Sequence, residues 1–129
     1  MKQNTGEQSG LVFFCHGARD PSWREPFDAI VAQVRNDRPA QRVALGFLEL
    51  MTPTFDEAVA ELVGQGVSVV RIVPLFLAPG KHTRVDLPAL IERARQQWPA
   101  VDFSVVPTLT EIPTVRTAII EWALRGADQ

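Results

Sequence analysis

This chain has only two histidines, and each follows an apolar run: His16 closes LVFFCH, and His82 comes after VVRIVPLFLAPGK. A third residue with chemical potential, Glu49, sits in FLEL at the end of another apolar stretch. Neutral imidazole and carboxylate together suit first-row divalent ions such as Fe, Co, Ni and Zn. Three or fewer protein ligands leave coordination positions open for a substrate, whereas a structural zinc site closes with four. With one cysteine and no Cys-rich or His-rich tract, any metal site has to be assembled from residues far apart in the sequence. Each residue also has an ordinary reading. A histidine at a strand end often hydrogen-bonds within its loop, and Glu49 could face solvent or favour the N-terminus of a nearby helix. What separates the readings is whether the fold brings the three together.

The elements that must position them alternate. Leu11 to Cys15 reads as a continuous apolar strand that has to surface at His16, because His16, Arg19 and Asp20 cannot be buried cheaply. Trp23, Phe27, Ile30, Val31 and Val34 then recur at helical spacing behind Ser22 as N-cap, with Pro26 acceptable near the first turn. Arg42 to Leu50 is the second predicted strand. Thr54 and Glu57 form a capping box, Ala58, Val59, Leu62 and Val63 give an apolar helical face, and Gly64 and Gly66 mark its end. Val67 to Leu77 is the third strand, in which Pro74 signals an early stop to regular pairing. A helix over about Asp86 to Trp98, a strand over Phe103 to Val106, and a last helix opened by Pro113 and running through Val115, Ile119, Trp122 and Ala123 complete the series.

Four strand–helix units imply an α/β fold: a four-stranded parallel sheet with helices on both faces and, in the common small solution, the flavodoxin-like order 2-1-3-4. Ligands of such sheets bind beyond the carboxyl ends of the strands, where the order reverses. That point lies between the first and third strands, which end near His16 and His82, while the second strand brings Glu49 to the other side of the first. Convergence of two imidazoles and a carboxylate is therefore expected.

Composition bounds the rest. A chain of 129 residues, 46% of them apolar, makes one domain over residues 11–129, behind a polar lead over residues 1–10 that is expected to be disordered. A formal net charge of -2 gives no global field for nucleic acid or membranes. No run approaches the ~20 apolar residues of a membrane span, and Met1 to Gly10 lacks the apolar core of a signal peptide. One cysteine fits a reducing, cytoplasmic setting.

CHGARDP, GFLEL with a proline shortly after it, and VPLFLAPGKHTRVDLP resemble, in order, the sirohydrochlorin cobaltochelatases and ferrochelatases of the CbiX type in their short, single-domain form. The resemblance runs from about Leu11 to Pro107. Two positions depart from it: Ala18 stands where the family usually has serine, which removes a loop hydroxyl, and Cys15 stands where a smaller residue often precedes the histidine. The resemblance implies insertion of a divalent metal, Co2+, Fe2+ or Ni2+, into sirohydrochlorin without nucleotide hydrolysis and without a separate cofactor, the metal being a substrate. In agreement, the chain has no G-x-x-x-x-G-K-[ST] motif. On this reading His16 is a metal ligand and base, His82 a metal ligand, and Glu49 a helper that binds metal or carries protons away. Longer relatives fuse two such domains, so a homodimer building its cleft from two copies is the expected working unit, with Trp122 and Ile119 as candidates for the contact.

The acidic side chains of such a tetrapyrrole give a role to Arg19, Lys81 and Arg84, which share the loops of the histidines. Their ordinary reading is solvated loop charge. Asp20 either pairs with an arginine or caps the first helix. Gly17, Pro79 and Gly80 read as conformational, Cys15 as a small buried apolar residue, and Trp23, Trp98 and Trp122 as core or interface. A non-catalytic carrier of metal or tetrapyrrole would use the same histidines. A metal-dependent hydrolase would want a denser carboxylate cluster, and a phosphate-binding flavodoxin relative would want small hydroxyl residues in the first loop.

Overall fold

A computed structural model describes residues 9–127. Four strands, β1 (Ser9–Cys15), β2 (Arg42–Phe47), β3 (Val69–Pro74) and β4 (Asp102–Val105), form one sheet in the order β2-β1-β3-β4. Every pairing is parallel, and the order is the expected one. Helices α1 (Glu25–Asp37), α2 (Phe55–Gly64), α3 (Leu87–Gln97) and α4 (Pro113–Ala127) follow the four strands in turn.

The two sheet faces are covered differently. Val12, Phe14, Val70, Ile72 and Phe103 pack under α2 and α3 with Phe55, Ala58, Leu62, Leu87 and Ile91, and Phe14 meets the rings of Phe55 and Phe76 edge-on. On the other face α1 lays Val31 on Val43, Leu45 and Phe47. The expected coverage of both faces therefore holds for three helices, whereas α4 makes its main contacts with the short turn Leu109–Glu111 instead of the sheet.

Local chemistry explains where the elements begin and end. The predicted capping box is present: the Thr54 hydroxyl accepts the Glu57 N–H at 3.2 Å and the Glu57 carboxylate accepts the Thr54 N–H at 2.9 Å. At the other end of α2, Gly66 adopts φ 90°, and the N–H groups of Gly66 and Val67 return to the carbonyls of Val63 and Leu62. Val67 is thus consumed by the helix terminus, which is why β3 starts two residues later than its β-branched run suggests. Leu75 donates to Phe14 in β1, so the nitrogen of Pro74 faces the β4 side, where β4 has already ended opposite Ile72. The missing N–H costs no ladder bond.

Three expected boundaries shift. β1 begins at Ser9, inside the segment assigned to the lead; residues 1–8 lie outside the described residues. Asp20, not Ser22, caps the first helical turn, Pro21–Arg24, by accepting the Ser22 N–H at 2.9 Å, and α1 proper starts at Glu25. β2 stops at Phe47, and Leu50 takes φ 70°, so Glu49 lies on a turn beyond the strand.

Candidate functional site

The carboxyl ends of β1 and β3 open into a cleft of about 360 Å³ lined by residues including His16, Trp23, Phe27, Leu75, Phe76 and His82. His16 stands one residue past β1. His82 opens a wide helical turn, His82–Asp86, closed by the bond from the Leu87 N–H to the His82 carbonyl, five residues back. The two imidazole rings come within 4.6 Å, centre to centre, at 80°. Phe76 packs against both, at 4.9 Å and 6.2 Å. Convergence across the switch point is therefore realised for the histidines.

A carboxylate backs each ring. His16 Nδ1 lies 3.1 Å from Glu49 Oε1, and His82 Nδ1 lies 2.6 Å from Asp86 Oδ2. An ionised carboxylate only accepts, so each Nδ1 carries the proton and each Nε2 keeps its lone pair. Among the described residues the hydrogen bonds of both rings are made at Nδ1 and none at Nε2. This is the arrangement that raises imidazole basicity and fixes ring orientation in metal-ligating histidines. Further support for the His16 loop comes from Trp23, whose indole N–H donates to the His16 carbonyl at 2.7 Å.

Glu49 is held from two sides, its second oxygen accepting the Gly17 N–H at 3.2 Å. Burial raises its carboxyl, but the hydrogen bonds from His16 and Gly17 and the charges of His16 and His82 outweigh that and hold it below its ordinary value. Among the described residues no group of three or more His, Cys, Asp or Glu side chains forms a metal cluster. In this geometry Glu49 stands behind His16, its carboxylate held by the His16 ring and the Gly17 N–H. The cause is close packing of the two loops: a Cβ on Gly17 would lie 1.8 Å from the Glu49 carbonyl oxygen.

The expected basic residues are less concentrated. Arg19, Lys81 and Arg84 are all exposed, and Lys81 sits between the cleft residues Gly80 and His82. Arg84 instead lines a second groove with Pro107, Thr108 and Glu111. Cys15 is buried with its thiol pushed up to about 12 by burial, partly relieved by Arg24, so it behaves as the small apolar residue expected. Trp23 is a cleft wall rather than core, Trp98 packs against the larger core, and Trp122 is exposed. Asp86 escaped the sequence reading although its signal was present: it follows His82 by four residues, the spacing that places side chains on one helical face.

A family model, CbiX, matches residues 10–124. The chain belongs to the CbiX family. It is 35% identical over 86 residues to a sirohydrochlorin cobaltochelatase of Methanococcoides burtonii, covering 67% of this chain and 66% of that one. Against a sirohydrochlorin cobaltochelatase of Methanopyrus kandleri the identity is 37% over 81 residues, covering 63% and 57%. The matched segment thus spans less than two thirds of the length of these relatives. Among solved structures, a chain described as a cobalamin (vitamin B12) biosynthesis CbiX protein of Marinobacter aquaeolei VT8 superposes with TM-score 0.80 at 29% identity, covering 93% of this chain and 98% of that one. The sirohydrochlorin chelatase SirB of Bacillus subtilis subspecies spizizenii, in complex with cobalt, superposes with TM-score 0.71 at 27% identity, covering 78% and 43%. The CbiX fold is what this chain has in common with these relatives.

Proposed function

We propose that this CbiX protein is a sirohydrochlorin chelatase that inserts a divalent metal, cobalt or iron, into the tetrapyrrole without nucleotide hydrolysis. The observation that carries the reading is the pair of histidines 4.6 Å apart in one cleft, each oriented by its own carboxylate. Relatives named sirohydrochlorin cobaltochelatase and ferrochelatase support it.

Insertion replaces two pyrrole protons by one metal ion, so the site has to offer the metal lone pairs weaker in sum than four ring nitrogens and has to accept protons. His16 and His82 present Nε2 lone pairs to the incoming ion and leave the remaining positions for the macrocycle. Once the metal has moved on, the same Nε2 atoms accept pyrrole protons, and the ionised Glu49 and Asp86 stabilise the resulting imidazolium charge. Glu49 serves His16 as a proton-relay partner. Arg19 and Lys81, on the loops bordering the cleft, meet the acidic side chains of the substrate, and Arg84 joins them only at the periphery. Leu75, Phe76, Leu77 and Trp23 supply an apolar wall against the flat ring.

The cleft is open on one side, and we infer that a homodimer closes it. A lone buried thiol fits a reducing compartment, the cytoplasm. Among the described residues no helix is long and apolar enough to cross a membrane.

A panel of Co2+, Fe2+, Ni2+ and Zn2+ with excess sirohydrochlorin, followed by absorbance, tests the proposal. Multiple turnovers with Co2+ or Fe2+ are expected. Stoichiometric uptake that stops after one equivalent would identify a carrier instead.

A further inference from the structure

Leu50 breaks a local rule at the edge of the site. Among the described residues it is the one non-glycine residue with positive φ, at 70°. The left-handed region crowds Cβ against the following carbonyl, and glycine or asparagine is the residue that ordinarily takes it. Leucine there is unfavourable, and burial does not offset the strain, because the side chain is 62% exposed. Its apolar neighbours in LELM behave otherwise: Leu48 packs against the larger core and Met51 against the smaller one, while Leu50 belongs to neither. A strained leucine that serves neither core points to a contact made in function rather than in folding.

The place of the turn says what that contact is. Leu48 donates its N–H to the Cys15 carbonyl, and the backbone from Glu49 to Met51 lies against Gly17: a Cβ there would meet the Glu49 carbonyl oxygen at 1.8 Å and the Met51 nitrogen at 3.2 Å. Leu50 is therefore fixed beside the His16 loop, on the β2 side of β1. On the β3 side stands Leu77, a wall of the histidine cleft that is 67% exposed. Its backbone is held, because its carbonyl accepts both the N–H and the hydroxyl of Thr110, while its side chain belongs to neither core. The strand order β2-β1-β3 thus sets one exposed leucine on each side of β1, whose end carries His16. Two aliphatic side chains on held backbones, flanking the histidine site, suit a broad apolar face; a hydrated metal ion alone would gain nothing from them.

We propose that Leu50 is a substrate-contacting residue: its side chain bears on the flat face of the tetrapyrrole at the β2 side of His16, as Leu77 does at the β3 side. This rests on the chelatase reading and deepens it, by extending the seat of the ring beyond the cleft to the turn after β2.

Leu50→Asn separates the strain from the contact. Asparagine suits the left-handed backbone but removes the apolar side chain, so the variant is expected to melt no lower than the wild type. It is expected to bind metal-free sirohydrochlorin about 10-fold more weakly in an absorbance titration, which does not depend on insertion. Co2+ affinity, measured by calorimetry without the tetrapyrrole, is expected to stay at the wild-type value, since a displaced Glu49 would show there through His16. Leu50→Met keeps an unbranched apolar side chain on the same backbone and is expected to bind the ring as the wild type does. Should Leu50→Asn lose its circular dichroism, Leu50→Gly carries the same expectation. Unchanged ring affinity in the folded variant overturns the contact. So does a loss of Co2+ affinity as large as the loss of ring affinity, and so does Leu50→Met binding the ring as weakly as Leu50→Asn. A wild type that binds sirohydrochlorin but inserts no metal overturns the chelatase reading alone, because the ring affinities still judge Leu50. A wild type that binds no sirohydrochlorin overturns both.

Discussion

The pairing of each histidine with a carboxylate makes distinct demands on individual residues. Asp86→Asn keeps the shape but removes the acceptor that orients His82, and metal insertion is expected to fall about 10- to 100-fold with the fold unchanged. Glu49→Gln is expected to act on both metal affinity and turnover through His16, and to leave the His82 half of the site alone. Measuring metal affinity beside turnover checks this, since a direct third ligand would show mainly as lost affinity. Acid has a sign fixed by the chemistry: a protonated imidazole has no lone pair to give, so insertion falls as the solution is acidified. Glu49 is held below its ordinary carboxyl range by the His16 and Gly17 hydrogen bonds, so its own protonation needs more acid than an ordinary carboxylate does. Cys15 gives an independent check on burial. With its thiol at about 12, thiolate is scarce near neutral pH, so iodoacetamide is expected to label the denatured chain rapidly and the folded chain hardly at all. Rapid labelling of the folded protein would show that the end of β1 is open.

At the scale of elements, the site depends on two loops whose backbones touch. A methyl group at Gly17 would collide with the Glu49 carbonyl, whereas one at Gly80 would meet nothing within 4 Å. Gly17→Ala is therefore expected to destabilise the fold by about 1–3 kcal/mol and to displace Glu49 from His16, while Gly80→Ala leaves melting temperature and turnover near wild type. Equal effects of the two would remove the loop contact from the account. The same contrast shows what was legible in the sequence. Both glycines look alike as residues in loops beside a histidine, and only the packed fold tells which one has a neighbour. Strand order, the capping box at Thr54 and the meeting of His16 with His82 follow from local pattern and general rules of parallel sheets. The early end of β2, which moves Glu49 onto a turn behind His16, follows from a loop-to-loop fit that no local pattern encodes. Asp86 was readable from its spacing to His82, but only once that segment was taken as helical.

For the whole molecule, three helices pack on the sheet while α4 stands on the Leu109–Glu111 turn, and the cleft opens at the carboxyl ends of β1 and β3. The central claim, that two carboxylate-oriented imidazoles perform metal insertion, has a direct test. Steady-state metallation of sirohydrochlorin by the wild type, His16→Ala and His82→Ala is expected to show many turnovers for the first and about a 100-fold or greater loss for each variant, with circular dichroism unchanged. Wild-type turnover in either folded variant would contradict the account.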